Sequence, residues 1–163
     1  MLVRWVLLRV IGLVPATRMF GVKRVLLRMC GFEVASDVRV VSTAKFNVPR
    51  LSIGAGAWIG HEVMFVGGDA DIRIGRNVDI GPRVTLATGS HQIGDSSHRA
   101  GRGYSTDIVI EDGCWIGASA TVLGGAVVGH GSVVGAGSLV KGTIPADSIA
   151  VGVPTRVVRR LEE

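Results

Sequence analysis

The chain has too few aromatic side chains to fill a layered globular core: four Phe, three Trp and one Tyr in 163 residues. Cysteine is scarce too. Cys30 and Cys114 are too few for a disulfide framework and read as buried thiols in a reducing compartment. Residues 2–14 are apolar apart from Arg4 and Arg9, and Pro15 ends them short of the roughly 20 residues that a bilayer-spanning helix needs. Arg9 also interrupts them as a secretory leader, and no clean small-residue cleavage site follows. The sequence pI is near 10.0, yet aromatic–basic interleaving and nucleic-acid motifs are missing, so no nucleic-acid partner is expected. The excess charge is local: residues 1–35 hold six basic residues and one acidic, and the remainder holds twelve of each.

Glycine is plentiful, at 24 residues, and it recurs with a period. From Ile110 to Pro145 every sixth residue opens a new unit: Ile110, Ile116, Val122, Val128, Val134 and Val140. The fifth position of each unit is small: Cys114, Ala120, Ala126, Ser132 and Ser138, before Ile144 closes the series. A period of six matches neither helix nor free strand, and it is a signature of a parallel β-helix. The β-branched residue suits extended backbone and fills the axis, and the small one fits where a narrow prism has no room for a second large side chain. Three units close a coil of eighteen residues. Ile110 is therefore expected beside Val128, Ile116 beside Val134 and Val122 beside Val140, with about 4.8 Å between coils.

The period is ragged over residues 38–52, regular from Ile53, slips by three residues between Phe65 and Asp71, and resumes at Ile74. It stops after His91. Residues 92–107 carry no repeat and read as a loop ejected from the coil, of the kind that commonly bears function. The organisation expected is an amphipathic, basic helical segment over 1–35, a coil over 36–155 with its loop at 92–107, and a basic tail over 156–163. In residues 17–29, Met19, Val22, Leu26 and Met29 share one face while Arg18, Arg24 and Arg28 line the other. Such a segment either caps the open end of the prism, as repeat folds require, or docks on anionic lipid headgroups, and both roles can coexist.

Of the four histidines, His130 occupies an ordinary solvent-facing corner and His98 lies within the loop. His61 holds the same slot as His130 but adjoins the slip. His91 is the last residue before the repeat breaks, held by the prism on one side and open to a cleft on the other. That position suits a general base.

Ala87-Thr-Gly-Ser-His91, His98-Arg99, Trp115-Ile-Gly-Ala, Val134-Gly-Ala-Gly-Ser and Gly152-Val-Pro-Thr, in that order, resemble the hexapeptide-repeat O-acetyltransferases of the galactoside, maltose and nodulation type. They are similar especially to relatives in exopolysaccharide and lipopolysaccharide assembly. The resemblance spans about residues 36–160 and implies an all-β, left-handed parallel β-helix. It also implies a homotrimer with acetyl-CoA as acyl donor in the groove between prisms, no metal, and a carbohydrate acceptor, free or lipid-linked. A cytoplasmic location follows, with contact at the inner face of the membrane. By the same resemblance His91 is the base and Trp115 lines the acetyl pocket. The Ala118 N–H meets the thioester oxygen, and Ala136 contacts the pantetheine arm. Lys141, Arg156 and Arg159 match groups near the CoA phosphates, and His61, Glu62 and Asp69 fall at acceptor contacts. His61 stands where Asn is common, and Lys141-Gly142 replaces the usual Thr-Lys.

Two other classes share the coil: a non-catalytic scaffold, and trimeric carbonic anhydrases with a zinc held by three histidines. For the latter, the interval from His91 to His98 is longer than in that family.

Overall fold

The computed structural model describes residues 2–162. Three parallel sheets wrap a common axis. Face I holds β1 (Glu33–Val34), β4 (Arg50–Ile53), β7 (Asp71–Ile74), β12 (Ile108–Ile110), β15 (Val127–Val128) and β18 (Thr143–Ile144). Face II holds β2 (Arg39–Val40), β5 (Trp58–Ile59), β8 (Asp79–Ile80), β13 (Trp115–Ile116), β16 (Val133–Val134) and β19 (Ser148–Val151), with the antiparallel β20 (Arg156–Arg160) at its edge. Face III holds β3 (Lys45–Asn47), β6 (Met64–Val66), β9 (Thr85–Ala87), β14 (Thr121–Leu123) and β17 (Leu139–Val140). The fold is the expected parallel β-helix, and the three expected pairs, Ile110 with Val128, Ile116 with Val134 and Val122 with Val140, are in register.

Large apolar residues turned to the axis form the core: Ile53, Ile74, Ile110 and Val128 on face I, Ile59, Ile80, Ile116 and Val134 on face II, Phe65, Leu86, Val122 and Val140 on face III. The core is bulkiest at the bottom, where Phe32, Phe46 and Phe65 pack at centroid distances of 5.7 and 5.1 Å. It thins upward to Ala150. The small fifth-position residues Cys114, Ala120, Ala126, Ser132 and Ser138 are all buried.

Coil length varies, and it varies in one place. Partners on face I lie 19, 21, 36, 18 and 16 residues apart going up: Val34–Ile53, Ile53–Ile74, Ile74–Ile110, Ile110–Val128 and Val128–Ile144. The steps from face I to II and from II to III stay at six, as in Ile74, Ile80 and Leu86. Every inserted or deleted residue therefore falls at the corner between faces III and I, including the three-residue slip and residues 92–107. The latter are not an irregular loop throughout. Their flanks pair as an antiparallel hairpin, β10 (Gly89–Ile93) with β11 (Ala100–Ser105).

Two helices close the lower end, α1 (Leu2–Leu13) and α2 (Phe20–Met29). Gly31, at φ 85°, ends α2, and the Gly31 and Phe32 N–H groups return to Arg28 O and Leu27 O. α2 buries Lys23 and Leu27, while Arg24, half-buried, and Arg28, exposed, reach from its margin to the prism. Arg24 Nη1 donates to Val38 O at 3.0 Å and Arg28 Nε to Val34 O at 2.7 Å, satisfying carbonyls of the open first coil. Arg4 does the same for Val48 and Pro49 from α1. Lys23 is fully buried, with its amine 2.7 Å from Ala16 O and 4.6 Å from the Phe20 ring centroid, and burial lowers its pKa. Met19, Val22 and Met29 face solvent instead, and only Leu26 is half-buried. Leu27 supplies the hydrophobic burial of α2, and the guanidinium stems at its margin reach carbonyls at the coil's open edge. No described helix is long and apolar enough to cross a membrane.

Candidate active site

His91 sits in β10 opposite Gly103 of β11, so the hairpin leaving the III/I corner carries its ring. Nδ1 lies 2.9 Å from Gly101 O. A carbonyl oxygen only accepts, so Nδ1 bears the hydrogen and Nε2 keeps a free lone pair. The imidazole is exposed. The hairpin tip is pinned by Asp95, whose Oδ1 accepts from Ser97 N–H (2.8 Å), Ser97 Oγ (2.6 Å) and His98 N–H (3.2 Å). Those bonds, led by the Ser97 hydroxyl, hold the Asp95 carboxyl below its usual range. His98 thus belongs to the tip turn.

Ala118 lies at the II/III corner, the other edge of face III. Its carbonyl accepts from Gly137 N–H at 2.8 Å, but among the described residues its own N–H has no acceptor. Ala136, one coil above at the same corner, is alike: its neighbours Gly135 and Gly137 donate within the chain and it does not. Trp115, 58% exposed, stands on the outer side of face II, and its column runs upward through Val133 and Ile149 to Arg159. Three strand spacings, about 14 Å, separate the indole from that guanidinium. Arg156 and Arg159 are exposed, with no carboxylate partner among the described residues.

The remaining candidates divide between the two edges. His61 and Glu62 are exposed at the II/III corner, two coils below Ala118. Glu62 Oε2 accepts from Arg83 Nε at 2.8 Å, and that guanidinium holds the carboxyl below its ordinary range. Asp69 lies at the III/I corner in the slip beneath the hairpin, where its carbonyl accepts from Arg50. Lys141 is exposed at the same III/I corner, after β17, and so lies across face III from Ala136. Within one chain the structure brings His91, Asp69 and Lys141 to one edge, and His61, Glu62, Ala118 and Ala136 to the other. It does not bring the two sets together.

Sequence reasoning passed over an ion network at the hairpin root. Asp71 takes Arg50 and, at 2.7 Å, Arg73, and Arg73 reaches Asp107 at 3.0 Å. Arg50 first, and Arg73 with it, hold the Asp71 carboxyl below its usual range. Arg50 and Asp71 stand 21 positions apart and Arg73 and Asp107 stand 34 apart, intervals that become neighbours only once the lengths of these two coils are known. His130 is better tied down than an ordinary corner residue: Nε2 lies 3.3 Å from Asp147 Oδ2 and the backbone N–H donates to Glu111 Oε2 at 2.8 Å. Among the described residues, no three His, Cys, Asp or Glu side chains gather as a metal ion would need.

The family model for the bacterial transferase hexapeptide, six repeats, matches residues 107–142. The galactoside O-acetyltransferase of Lactococcus lactis is 35% identical over 120 residues, 74% of this chain and 58% of that protein. The chain thus spans somewhat over half of that relative. The protein WcaF of Escherichia coli K12, named for an acetyltransferase of colanic acid biosynthesis, is 34% identical over 140 residues, 85% of this chain and 74% of that one. Among solved structures, a hexapeptide-repeat acetyltransferase of Vibrio cholerae in complex with acetyl-CoA superposes with a TM-score of 0.75 at 27% identity, covering 99% of this chain and 88% of its own.

Proposed function

Because the chain belongs to the hexapeptide-repeat acetyltransferase family, we propose that it transfers acetyl from acetyl-CoA to a sugar hydroxyl during assembly of a cell-surface polysaccharide. The observation that carries the reading is the division of the candidate residues between the two edges of face III. His91 at one edge has a tautomer fixed by Gly101 O, and the unpartnered Ala118 N–H waits at the other.

A cyclic assembly with face III turned to the axis joins the III/I edge of one copy to the II/III edge of the next. The outer side of that face suits burial: above Lys45 it shows Met64, Thr85, Thr121 and Leu139, with no charge. The trimer is therefore part of the catalytic site. His91 Nε2 takes the proton of the acceptor hydroxyl as its oxygen forms a bond to the thioester carbonyl carbon. The partner copy's Ala118 N–H donates to the carbonyl oxygen, where negative charge grows. As the carbon–sulfur bond breaks, the His91 imidazolium returns its proton to sulfur, and the balance closes on an acetyl ester and free CoA. Trp115 and Ala136 line the path of the pantetheine arm upward, and Arg156, Arg159 and the neighbour's Lys141 meet the phosphates. The unpartnered N–H groups and unpaired guanidiniums are the features that fit this donor.

The relatives named for galactoside and for colanic acid biosynthesis support a carbohydrate acceptor, with His61, Glu62 and Asp69 at its hydroxyls. The helical cap supports a cytoplasmic enzyme resting on the inner membrane surface. Leu2, Val3, Trp5, Val22, Val25 and Met29 are exposed there, in a segment without an acidic residue before Glu33.

The test is His91→Ala. It is expected to lower acetyl transfer by about 10²–10⁴ while calorimetric CoA affinity stays unchanged. Turnover within a factor of about two of the parent would overturn the assignment.

A further inference from the structure

The hairpin that carries His91 joins the coil through two short stretches, and the second of them ends in a carboxylate. The outgoing chain leaves at Thr88, whose N–H donates to Val66 O at 3.0 Å. The return chain comes back through Thr106, whose N–H donates to Thr88 O at 3.0 Å, and Asp107, whose carbonyl accepts from Gly125 N–H at 2.8 Å. The Asp107 side chain then reaches down to the coil below. Its Oδ1 accepts from Asp71 N–H at 2.9 Å, and its Oδ2 lies 3.0 Å from Arg73 Nη2. The register of β7 with β12 runs from Ile72 opposite Ile108, which sets Asp107 beside Asp71 just before the paired segment. Asp71 in turn holds Arg50 one coil lower, so two coils stand behind the return leg.

Beyond that root the ribbon stands clear of the core. Every residue from Gly89 to Ser105 is exposed or half-buried, and a two-stranded hairpin is marginal by itself. Its internal pairing fixes the His91 ring against Gly101 O, but it does not fix the ribbon against the prism. His91 pairs with Gly103, four residues before Asp107, which makes a lever of about 13 Å. A tilt of about 5° at the root therefore moves the imidazole by about 1 Å, and an error of that size in the reacting geometry costs about 10²-fold in rate.

We infer that Asp107 is a positioning residue for acetyl transfer: its carboxylate, fastened to Asp71 N–H and to Arg73, sets the angle at which the hairpin presents His91 to the acceptor. The inference rests on the reading of His91 as the base. The two halves of the clamp are separable. Asparagine keeps an oxygen for Asp71 N–H and gives up the charge toward Arg73, whereas alanine removes both. The ion pair is half-exposed and Arg73 retains Asp71 at 2.7 Å, so the bond to the N–H is the part that sets the angle. Asp112 supplies a matched control. Its Oδ1 accepts from Arg76 N–H at 2.7 Å, the same bond between successive coils, but at the I/II corner where no hairpin leaves.

Full-length parent, Asp107→Ala, Asp107→Asn and Asp112→Ala are compared by steady-state acetyl transfer across pH, thermal unfolding, and deuterium uptake resolved along the chain. Asp107→Ala is expected to lower kcat by about 30–100-fold with KM for acetyl-CoA unchanged and the midpoint within about 4 °C of the parent. The acid limb of its kcat/KM profile should stay in place, because the contact of the ring with Gly101 O is kept. Uptake should rise over residues 89–105 and nowhere else. Asp107→Asn should retain kcat within about threefold, and Asp112→Ala should match the parent in both kcat and hairpin uptake. Unchanged hairpin uptake in Asp107→Ala would overturn the inference, as would raised uptake with kcat within a factor of about two. A displaced acid limb would show Asp107 acting on His91 by charge and not by placement, and an equal loss in Asp112→Ala would show general weakening of the coil; either result refutes the role. A parent that acetylates no sugar would count against the acetyltransferase reading, whereas the uptake comparison bears on the brace alone.

Discussion

Ala120→Leu tests the packing of the coil at one atom's precision. Ala120 is fully buried, between Val84 below and Ser138 above in the same inner column. The backbone has no freedom to move aside, since Thr85 N–H donates to Ala120 O at 2.9 Å and Thr121 N–H to Ser138 O at 2.8 Å. Three added carbons must therefore be met by off-rotamer side chains, at a cost of about 1–3 kcal/mol. For a chain of 163 residues each kcal/mol moves the midpoint by about 2–4 °C, so a fall of roughly 2–12 °C is expected. Ala118→Leu, two residues away, places the same atoms at a half-buried corner and should stay within about 0.5 kcal/mol of the parent while losing acetyl transfer. Ala120→Val should fall between them, because the same column already holds Val63 and Val84. The assay is thermal unfolding followed by circular dichroism. Equal losses for Ala118→Leu and Ala120→Leu would mean that the assignment of inward positions is shifted.

Cys114 is buried, with Sγ 3.1 Å from Gly129 O, and burial pushes its thiol up to about 11 from an ordinary 9.0. The folded state holds that proton where the unfolded chain has released it, so stability is intact below about pH 9 and is lost as pH rises toward 11, by about 2–3 kcal/mol. Melting temperatures of the parent should decline more steeply over that window than those of Cys114→Ala, and parallel curves would contradict the argument. At the cap, Val22→Asp with Val25→Asp should abolish co-sedimentation with anionic vesicles without changing the melting temperature, because both side chains face solvent. High salt should release little of the parent, since Arg4, Lys23, Arg24 and Arg28 are engaged with backbone carbonyls. Release by salt, with the double variant still bound, would show that charge and not insertion holds the protein.

The regular hexads were legible down to individual partners because an inward β-branched residue and a small neighbour recur with no alternative phase. The hairpin was legible as an interruption but not as paired strands, since Gly89 to Ser105 carries no alternation and its pairing is held by backbone alone. The orientation of α2 was not legible. Hydrophobic periodicity groups Met19, Val22 and Met29 on one face, whereas the face turned inward carries Leu27 and Lys23, flanked by arginines that bond carbonyls on another segment, Val34 and Val38. His91 stood out by its place at the break. Its confinement to one edge and Ala118's to the other could have been found by counting, because the nine-residue step from Phe65 to Ile74 and the longer one from Leu86 to Ile110 are separated by complete hexads.

That single variable corner has a consequence for how such a chain can change. A coil in which additions were scattered would lose phase at each one, and every inward residue above would rotate toward solvent. Here the tolerance is concentrated along one seam, and the other two corners keep step regardless of what the seam carries. Lengthening an excursion costs only about 0.6 kcal/mol per doubling, so Gly67–Asp69 or the hairpin can be exchanged for other sequences with the core left untouched. Novelty enters by one door, beside the histidine.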